Sequence, residues 1–535
     1  MPSAPEIASN QRQRSHDVFV ALALVPVLSV ILVCAAGGIV IGESNHVGLL
    51  PVVRRMVDPG YLPNDFGISL RWYHHFPFAV MLGWMSALLG ENTAVVIMSF
   101  AGRVVFLGGL FSFCRVLGMR PWAFAGCAVG LGLTLLHAGE GLEINTLLGN
   151  GVIQPPIFAH GAVLGALAAI ATGRPLAAAA SLGLATLCHL QIGILATAFL
   201  APAFVYRISG DKPLLSRGAV VKSLLLWAIP ASPCVAIAAV ALHQGGQHAA
   251  WNVDYLSLRM PHHMELASMG ALIWYLFHLS FVALAAFWFD RRCERARSVW
   301  RLSLYFALAI SLASSLHFLD YYWVRWGGIA KLQFLRLTPF VTGFGLVALL
   351  AVTIDGYRSR RLPGSKVALL GMGWAALGLF HSLPGTLHSV QRQWAWAVTT
   401  PWDDPDDWTD MCGWIARFGP AEATYLTPPG KEGFTYLSNR STVVEFKTNP
   451  DGGRLLTEWT ARLADLSGGA LPKGRGFEME TLLNERFASL DAAERRRIGQ
   501  KYGATYAVLP SAAEDDGGVL YRNRSFKLVI LGTAP

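Results

Sequence analysis

Two carboxylates in the first long polar segment are candidates for acid–base chemistry. Asp58 begins an Asp-Pro-Gly sequence, and Asp65 follows a Pro-Asn pair. A carboxylate beside hydrogen-bond donors can accept the proton of an attacking hydroxyl group, which makes both residues candidates for a general base. A structural role is the alternative, because Asp side chains also cap turns and the starts of helices. The sequence leaves both interpretations open for each residue.

Cationic side chains near a later apolar run point to an anionic ligand. Arg325, Lys331 and Arg336 precede or enter the run at 332–354, and we expect Arg336 to lie about one turn inside an apolar helix. A charge there is costly unless it faces a polar cavity or an anion. A phosphate group would supply that anion, since guanidinium binds phosphate oxygens bidentately. Arg259 is a weaker candidate of the same kind, and simple anchoring of the helix by snorkelling is the alternative.

Several further polar residues could line a site for the same substrate. Glu140 and Glu143 are three residues apart, so on a helical turn they share one face and could bind a sugar hydroxyl or a metal ion. Solvated loop positions are the alternative for this pair. The histidine spacings are not typical of a zinc site, so a divalent metal is possible but has no supporting motif. The complete set of these additional candidates is His74, His75, Glu140, Glu143, His189 and Gln191.

The elements that must position these residues are apolar helices. The chain has 535 residues, of which 53% are hydrophobic and 14% are charged, against about 25% charged residues in an ordinary soluble protein. Its mean hydropathy is +0.43, and the apolar residues form long runs rather than alternating strands. This pattern predicts a polytopic integral membrane protein and excludes a collagen, a disordered chain and a disulfide scaffold.

Short basic clusters orient the predicted helices. Arg and Lys concentrate between apolar runs, for example at 291–297 and 358–366, which is typical of cytoplasmic loops and removes the need for a nucleic-acid partner. This pattern predicts a cytoplasmic N-terminus. It also favours a juxtamembrane helix at 76–90 rather than a span, because a span there would invert every later basic loop. The eleven predicted spans are 18–41, 93–114, 121–137, 157–172, 175–189, 192–206, 218–242, 269–289, 300–318, 332–354 and 367–384.

The composition divides the chain into three parts. We expect a cytoplasmic tail at 1–17, a transmembrane domain at 18–384 with a long first exterior loop at 43–92, and a small extracytoplasmic α/β domain at 385–535. The fold class is therefore a polytopic α-helical membrane protein, with about 11 transmembrane helices and a C-terminal α/β domain. Helices in the last part are predicted at 406–418, 478–490 and 491–502. Its strands are predicted at 423–427, 442–446, 505–509 and 526–531.

The order of elements at 58–118 carries a resemblance to a known superfamily. Asp65 lies in a long first exterior loop, Tyr73-His74-His75-Phe76-Pro77 starts a juxtamembrane helix, and Arg103-Val104-Val105-Phe106-Leu107-Gly108 lies in the next span. This arrangement resembles the GT-C glycosyltransferases, such as protein O-mannosyltransferases and the aminoarabinose transferases of lipid A. The chain departs from the family at Asn64, where the family often has a second acidic residue.

The resemblance implies a reaction at the outer leaflet. A sugar would move from a polyprenyl-phosphate donor to a glycan, lipid or protein acceptor, with inversion at the anomeric carbon. Asp65 would be the base, while Arg336, Lys331 and Arg325 would hold the lipid phosphate as a leaving group. The general character of the sequence favours the inner membrane of a bacterium.

Two alternatives from other classes stay open. A non-catalytic cell-envelope assembly or binding protein would use the C-terminal domain to hold its partner. A transporter would need intramembrane polar residues along a route to both sides, whereas the polar residues of this chain concentrate at one predicted face.

Overall fold

The structure is a computed structural model, and it describes most of the chain. Its described ranges are 4–71, 75–135, 141–143, 147–148, 151–205, 217–245, 253–290, 294–359, 366, 397–450, 453–514 and 518–531. The predicted span at 367–384 and the candidate residues His74 and Glu140 lie outside these ranges.

Apolar helices make up the first two thirds of the described chain, and six helical stretches in it are long and apolar enough to cross a membrane. This confirms the predicted fold class of a polytopic helical membrane protein. The helices are α1 Ala4–Ala35, α2 His46–Val57, α3 Phe66–Arg71, α4 Phe76–Leu89, α5 Glu91–Val116, α6 Pro121–Leu135, α7 Pro156–Ala171, α8 Pro175–Cys188, α9 Leu190–Val205, α10 Arg217–Gly245, α11 Val253–Arg259, α12 Met269–Phe289, α13 Glu294–Leu319 and α14 Pro339–Arg358.

Five of the apolar helices are shorter than a full span. Helices α4 and α6 to α9 have 14 to 16 residues. At 1.5 Å per residue they extend over about 21–24 Å, whereas the hydrocarbon core of a bilayer is about 30 Å thick. The juxtamembrane helix predicted at 76–90 is present as α4. Helices α6 to α9 occupy the four short runs that the sequence predicts as spans.

Helices α5 and α7 approach each other at two glycines. A Cβ atom on Gly109 would lie 2.0 Å from the carbonyl oxygen of Gly161, and one on Gly161 would lie 2.6 Å from that of Val105. Only glycine fits at such distances, and small residues at a crossing are the usual means by which membrane helices pack closely.

Two predicted span boundaries were wrong. The first span was predicted to reach residue 41, but α1 ends at Ala35, because Gly37 and Gly38 adopt positive φ values of 81° and 95° that end a helix. The span predicted at 332–354 begins as a helix only at Pro339. Proline is favoured in the first turn of a helix, because it has no backbone N–H that would remain unpaired there.

The C-terminal region is a small α/β fold, as predicted. Its five-stranded sheet has the order β4-β3-β5-β7-β6, with β3 parallel to β4 and β5 and with antiparallel pairing from β5 through β7 to β6. A two-residue parallel bridge joins β1 after helix α1 to β2. The strands are β1 Ile39–Val40, β2 Val398–Thr399, β3 Thr424–Leu426, β4 Ser441–Thr442, β5 Ala504–Pro510, β6 Val519–Arg522 and β7 Phe526–Ile530. The helices are α15 Asp407–Phe418, α16 Phe434–Ser438, α17 Gly453–Asp465, α18 Phe477–Ala488 and α19 Ala492–Tyr502.

Local sequence signals predict most of the secondary structure of the C-terminal region. Asp406 and Asp491 cap α15 and α19 by accepting hydrogen bonds from the backbone N–H groups of Thr409 and Glu494, as the clusters of acidic residues indicate. The strand predicted at 442–446 is reduced to β4, and β6 was missed. Its exposed positions do not show the apolar alternation by which a half-buried strand is recognised.

A hydrophobic core joins the predicted exterior loops to the C-terminal region. Phe66, Tyr255, Met260 and Tyr321 come from three separate loops and pack in one cluster with Trp459 and other residues of the C-terminal region. These loops and the C-terminal region therefore lie on the same face of the helical part. The compartment that this face meets stays a prediction.

Arg54 in α2 links the helical part to the C-terminal region by hydrogen bonds. Its Nε and Nη2 atoms donate to the two carboxylate oxygens of Glu91, each at 2.8 Å. Its Nη1 atom donates to the backbone oxygen of Tyr436 at 3.0 Å and to Oδ1 of Asn439 at 2.7 Å. The guanidinium also lies 4.4 Å from the centre of the Tyr436 ring. The Arg54 side chain thus donates hydrogen bonds to Glu91, Tyr436 and Asn439.

We expect Arg54→Ala to loosen the C-terminal region. Removing one partner of a largely buried, bidentate ion pair leaves Glu91 uncompensated and should lower stability by about 2 kcal/mol, a value reduced because the Arg54 side chain is 26% exposed. Thermal unfolding in detergent should show a lower midpoint, and limited proteolysis should release the C-terminal region faster. Arg301→Ala, which removes a pair in which the Arg301 side chain is 52% exposed, is the matched control. If both variants unfolded at the same temperature, the role of Arg54 in linking the C-terminal region to the helical part would be contradicted.

Candidate functional site

A group of polar side chains from five separate segments meets where the loops contact the helices. We call this group the polar cluster. Its members are His75, Glu143, His189, His263, Gln333 and Arg336. Four of the six were site candidates from the sequence, so the structure brings together residues that lie up to 261 positions apart in the chain.

Arg336 lies in a 3₁₀ turn, Phe334–Leu337, that precedes α14. This corrects the expectation that it lies one turn inside an apolar helix. Its Nε atom donates to Oε1 of Gln333, and its Nη1 atom lies 3.5 Å from Nε2 of His189. Its half-buried guanidinium lies near His160 at the start of α7, and the turn packs against α9 and α13, so Arg336 lies where the loops meet the apolar helices.

Gln333 connects Arg336 to the turn that carries His263. The Gln333 side chain is buried, and its Nε2 atom donates to Sδ of Met260 at 3.4 Å. The backbone N–H of His263 in turn donates to the carbonyl oxygen of Met260 at 3.0 Å. Gln333 has a positive φ of 52°, a strained conformation for a residue other than glycine, and such strain is often found at functional sites.

His189 lies between α8 and α9, and 3% of its surface is exposed. The backbone N–H of Ile192 donates to its Nδ1 atom at 3.3 Å. In a neutral ring with Nδ1 as acceptor, the proton is on Nε2, the atom that faces Arg336. The His75 ring lies 4.9 Å from the His189 ring, centre to centre. Two groups that carry N–H bonds, imidazole and guanidinium, therefore face one another at 3.5 Å.

Glu143 and His263 form a close side-chain pair in the cluster. Nδ1 of His263 lies 2.6 Å from Oε2 of Glu143, whose side chain is completely buried. The neighbouring Leu142 N–H donates to Oγ1 of Thr338 at 2.9 Å, and the Leu142 carbonyl accepts from Ala267 N–H at 2.9 Å. The segment 141–143 is thus held between the turn before α14 and the segment that follows His263.

Two further cations lie beside the cluster, Arg259 and Lys447, and we call them the flanking cations. Arg259 is 8% exposed, donates from Nη2 to the backbone oxygen of Lys447 at 3.2 Å, and lies 5.0 Å from the centre of the Phe446 ring. Lys447 pairs with Glu432 at 3.1 Å.

The charges of this site act together on its histidines. Burial, and then the positive charges of Arg336, Arg259 and Lys447, hold the pKa of His263 well below its ordinary value of 6.5. Burial, His263 and Arg259 also lower the pKa of His262 to about 3. Both rings are therefore neutral at physiological pH. The three cations share this part of the molecule with the carboxylates of Glu143, Glu432 and Glu480, of which Glu432 pairs with Lys447.

The remaining sequence candidates lie at various distances from this cluster. Asp58 is exposed and accepts the N–H of Gly60 at 2.9 Å, which is the turn-capping alternative. Arg325 and Lys331 are exposed in the loop before Gln333. Gln191 lies two residues after His189 and donates to the backbone oxygen of Leu332 at 2.9 Å, which ties α9 to the same loop.

Asp65 is buried between α3 and the C-terminal region, with 1% of its surface exposed. One carboxylate oxygen accepts the N–H of Ile68 at 2.8 Å, and the other accepts from Thr442 N–H at 3.2 Å and from the Thr435 hydroxyl at 3.3 Å. Burial raises the pKa of Asp65, and these hydrogen bonds lower it in part. The contacts are those of a helix cap, and its role as a base stays a prediction.

A second buried carboxylate, Glu445, lies near Asp65. It is 2% exposed and accepts backbone N–H groups from Gly433 at 3.3 Å and from Thr435 at 3.2 Å. Burial raises the pKa of Glu445 to about 8, and the nearby Asp65 charge contributes to the shift. The contact between α3 and the C-terminal region therefore contains two acidic groups in a small apolar volume.

Sequence reasoning missed four residues that build the site. His263 was considered only as a metal ligand, and in the described ranges no group of three or more His, Cys, Asp or Glu side chains is arranged to hold a metal ion. Lys447 had no local signal, and Gln333 was expected beside Arg336 at the mouth of a span but was given no role. Asp320 holds the loop before Gln333 by accepting the N–H groups of Gly327, Ile329 and Ala330, and the only hint was an acidic residue at the end of an apolar run.

Comparisons with known proteins give two similarities. The model of a domain of unknown function, DUF6798, matches residues 406–466. The crystal structure of ArnT from Cupriavidus metallidurans in the apo state is similar over 97% of this chain and 98% of that chain, with 12% sequence identity and a TM-score of 0.40. No curated protein matches the chain. A similarity of this size leaves residue roles and activity to be argued from the site itself.

We expect Glu445→Gln to make stability less dependent on pH. The pKa of a glutamate side chain is ordinarily 4.5, and that of Glu445 in the folded protein is about 8. Between these two pH values the folded state therefore binds more protons than the unfolded state. Stability is therefore greatest below pH 4.5 and decreases as the pH rises through 8. Between about pH 5 and about pH 9, the unfolding midpoint of the wild type should fall more than that of Glu445→Gln.

Glu422→Gln is the control for this measurement, because Glu422 is exposed in the same region. Its pH dependence should equal that of the wild type. If Glu445→Gln also followed the wild-type curve, Glu445 would have to be ionised in the folded protein.

Proposed function

We propose that the chain transfers a sugar from a polyprenyl-phosphate donor to a glycan, lipid or protein acceptor at the outer face of the membrane. The resemblance of 58–118 to the GT-C glycosyltransferases suggested this reaction. Independent support comes from the polar cluster, whose charge and position suit the phosphate of a lipid donor.

One observation carries the proposal. The Nη1 atom of Arg336 and the Nε2 atom of His189 are 3.5 Å apart, and both carry protons when Nδ1 of His189 accepts the Ile192 N–H. One oxygen of a ligand can accept from two donors that lie this close together. A phosphate offers several such oxygens, and a charge-assisted bond to it is roughly twice as strong as a neutral one.

The flanking cations add positive charge near Arg336. Arg259, Lys447 and Arg336 are each close enough to His263 to lower its pKa, and of the three Lys447 is paired with Glu432. In the transfer reaction, the bond between the anomeric carbon and the phosphate oxygen breaks, and negative charge develops on the phosphate. Fixed cations at that position stabilise the leaving group more in the transition state than in the ground state.

The position of the cluster suits a lipid substrate. Arg336 immediately precedes the apolar helix α14, and Gln191 and His189 begin α9, so the cluster lies where polar loops meet apolar helices. A polyprenyl chain could extend along the helices while its phosphate reaches the cations. We propose that this face is the outer one and, in a bacterium, that the membrane is the inner membrane.

Binding of undecaprenyl phosphate to the purified protein tests the proposal. We expect the wild type to bind and Arg336→Ala to lose about 10- to 100-fold in affinity, which corresponds to one or two charge-assisted hydrogen bonds. Arg301→Ala, which removes an exposed arginine from α13, should bind like the wild type. Competition by inorganic phosphate separates recognition of the head group from recognition of the lipid.

Two results would contradict the proposal. If the wild type does not bind undecaprenyl phosphate, the transferase function fails and a binding or assembly role is favoured. If Arg336→Ala binds as tightly as the wild type, the polar cluster is not the site of the donor phosphate.

A further inference from the structure

A proton acceptor is required in the proposed reaction, because the acceptor hydroxyl must lose its proton as its oxygen attacks the anomeric carbon. Asp65 was the sequence candidate. Both of its oxygens already accept hydrogen bonds from Ile68, Thr435 and Thr442, and 1% of its surface is exposed. A group with an accessible lone pair in the polar cluster would be better placed.

We propose that His263, oriented by Glu143, accepts this proton, an inference that rests on the proposed function. The pair has the geometry of an oriented base. Nδ1 of His263 donates to the Glu143 carboxylate at 2.6 Å, which leaves the lone pair on Nε2. Among the described residues, no donor contacts Nε2. The His263 side chain is 19% exposed while that of Glu143 is completely buried, so the ring is accessible and its carboxylate partner is not.

The surrounding segments hold the pair next to the proposed phosphate site. Gln333 contacts Arg336 at one end of its side chain and Met260 at the other, and the backbone oxygen of Met260 accepts the N–H of His263. On the other side, Leu142 is held by Thr338, two residues after Arg336. His263, Glu143 and Arg336 are thus fixed to one another through short hydrogen-bonded links.

The reaction balances without an additional reagent. The acceptor O–H transfers its proton to Nε2 of His263, and the acceptor oxygen forms a bond to the anomeric carbon. The bond from that carbon to the phosphate oxygen breaks, and its electron pair leaves with the polyprenyl phosphate. Glu143 stabilises the imidazolium that forms, Arg336 holds the phosphate, and His263 then releases its proton to water.

The charges around His263 suggest how the donor would activate this base. Burial and the positive charges of Arg336, Arg259 and Lys447 keep the pKa of His263 low, while Glu143 and the neutral His262 also face the ring. An anionic phosphate bound among these cations would offset their charge. The pKa of His263 would then rise, and the ring would become a stronger base only when the donor is present.

Carbethoxylation of individual histidines tests the inference without knowledge of the sugar. Diethylpyrocarbonate reacts with neutral imidazole, and mass spectrometry of the full-length protein reports each residue. We expect His263 to react at about pH 5, where an ordinary histidine is mostly protonated. Undecaprenyl phosphate should raise the midpoint pH for His263 by about one, and Glu143→Gln should change that midpoint. His16, an exposed histidine of α1, is the control residue, and undecaprenyl phosphate should leave its reaction unchanged.

Turnover provides the second measurement. Release of undecaprenyl phosphate from a panel of undecaprenyl-phosphate sugars should fall about 10²- to 10⁴-fold in His263→Gln. Binding of undecaprenyl phosphate should stay close to the wild-type value. His16→Gln is the matched control, since it makes the same substitution at an exposed position away from the cluster.

The outcomes separate the two proposals. If undecaprenyl phosphate binds and depends on Arg336, but the midpoint of His263 is ordinary and unchanged by the lipid, the proton-acceptor role is overturned and the proposed function stands. The same holds if His263→Gln releases the lipid at the wild-type rate. If the wild type binds no undecaprenyl phosphate, the proposed function itself fails.

Discussion

The polar cluster depends on the hydrophobic core shared by the loops and the C-terminal region. Met260 and Met264 are buried in this core on either side of His262 and His263, so packing fixes the turn that carries both rings. The apolar helices could not hold this turn alone, because their surfaces offer few partners to backbone N–H and C=O groups outside a helix. The C-terminal region supplies apolar contact to this turn, while His317 of α13, Glu143 and Gln333 form hydrogen bonds with it.

Three buried carboxylates in this part of the molecule show how partners decide the role of a group. Asp65 and Glu445 accept hydrogen bonds mainly from backbone N–H groups, which cannot accept a proton in return. Glu143 instead contacts a histidine ring. A carboxylate that meets the backbone stabilises a local fold, whereas one that meets an imidazole fixes the position of its proton and leaves a lone pair on the opposite side. Similar burial thus accompanies backbone partners for two of these residues and a side-chain partner for the third.

The placement of Arg336 follows from the start of α14 at Pro339. Because the helix begins there, the residues before it form a loop and a 3₁₀ turn, and the guanidinium contacts Gln333 and His189. The loop itself is held by Asp320, which accepts three backbone N–H groups. A charge that would be costly inside a membrane helix is accommodated at its edge, where an anionic ligand could reach it.

Local patterns in the sequence determined the apolar helices, the C-terminal α/β region and its capped helices, because hydrophobic runs and caps act over a few neighbouring residues. The sequence also singled out Arg336, His189 and Glu143 by their polar character near apolar runs. Only the tertiary structure decided what these residues do. Glu143 and His263 are 120 positions apart, and His189 and Arg336 are 147 apart. No local spacing encodes such contacts, which arise when helices and loops pack around a common core. The burial of Asp65 was decided in the same way, since Thr435 and Thr442 reach it from the C-terminal region.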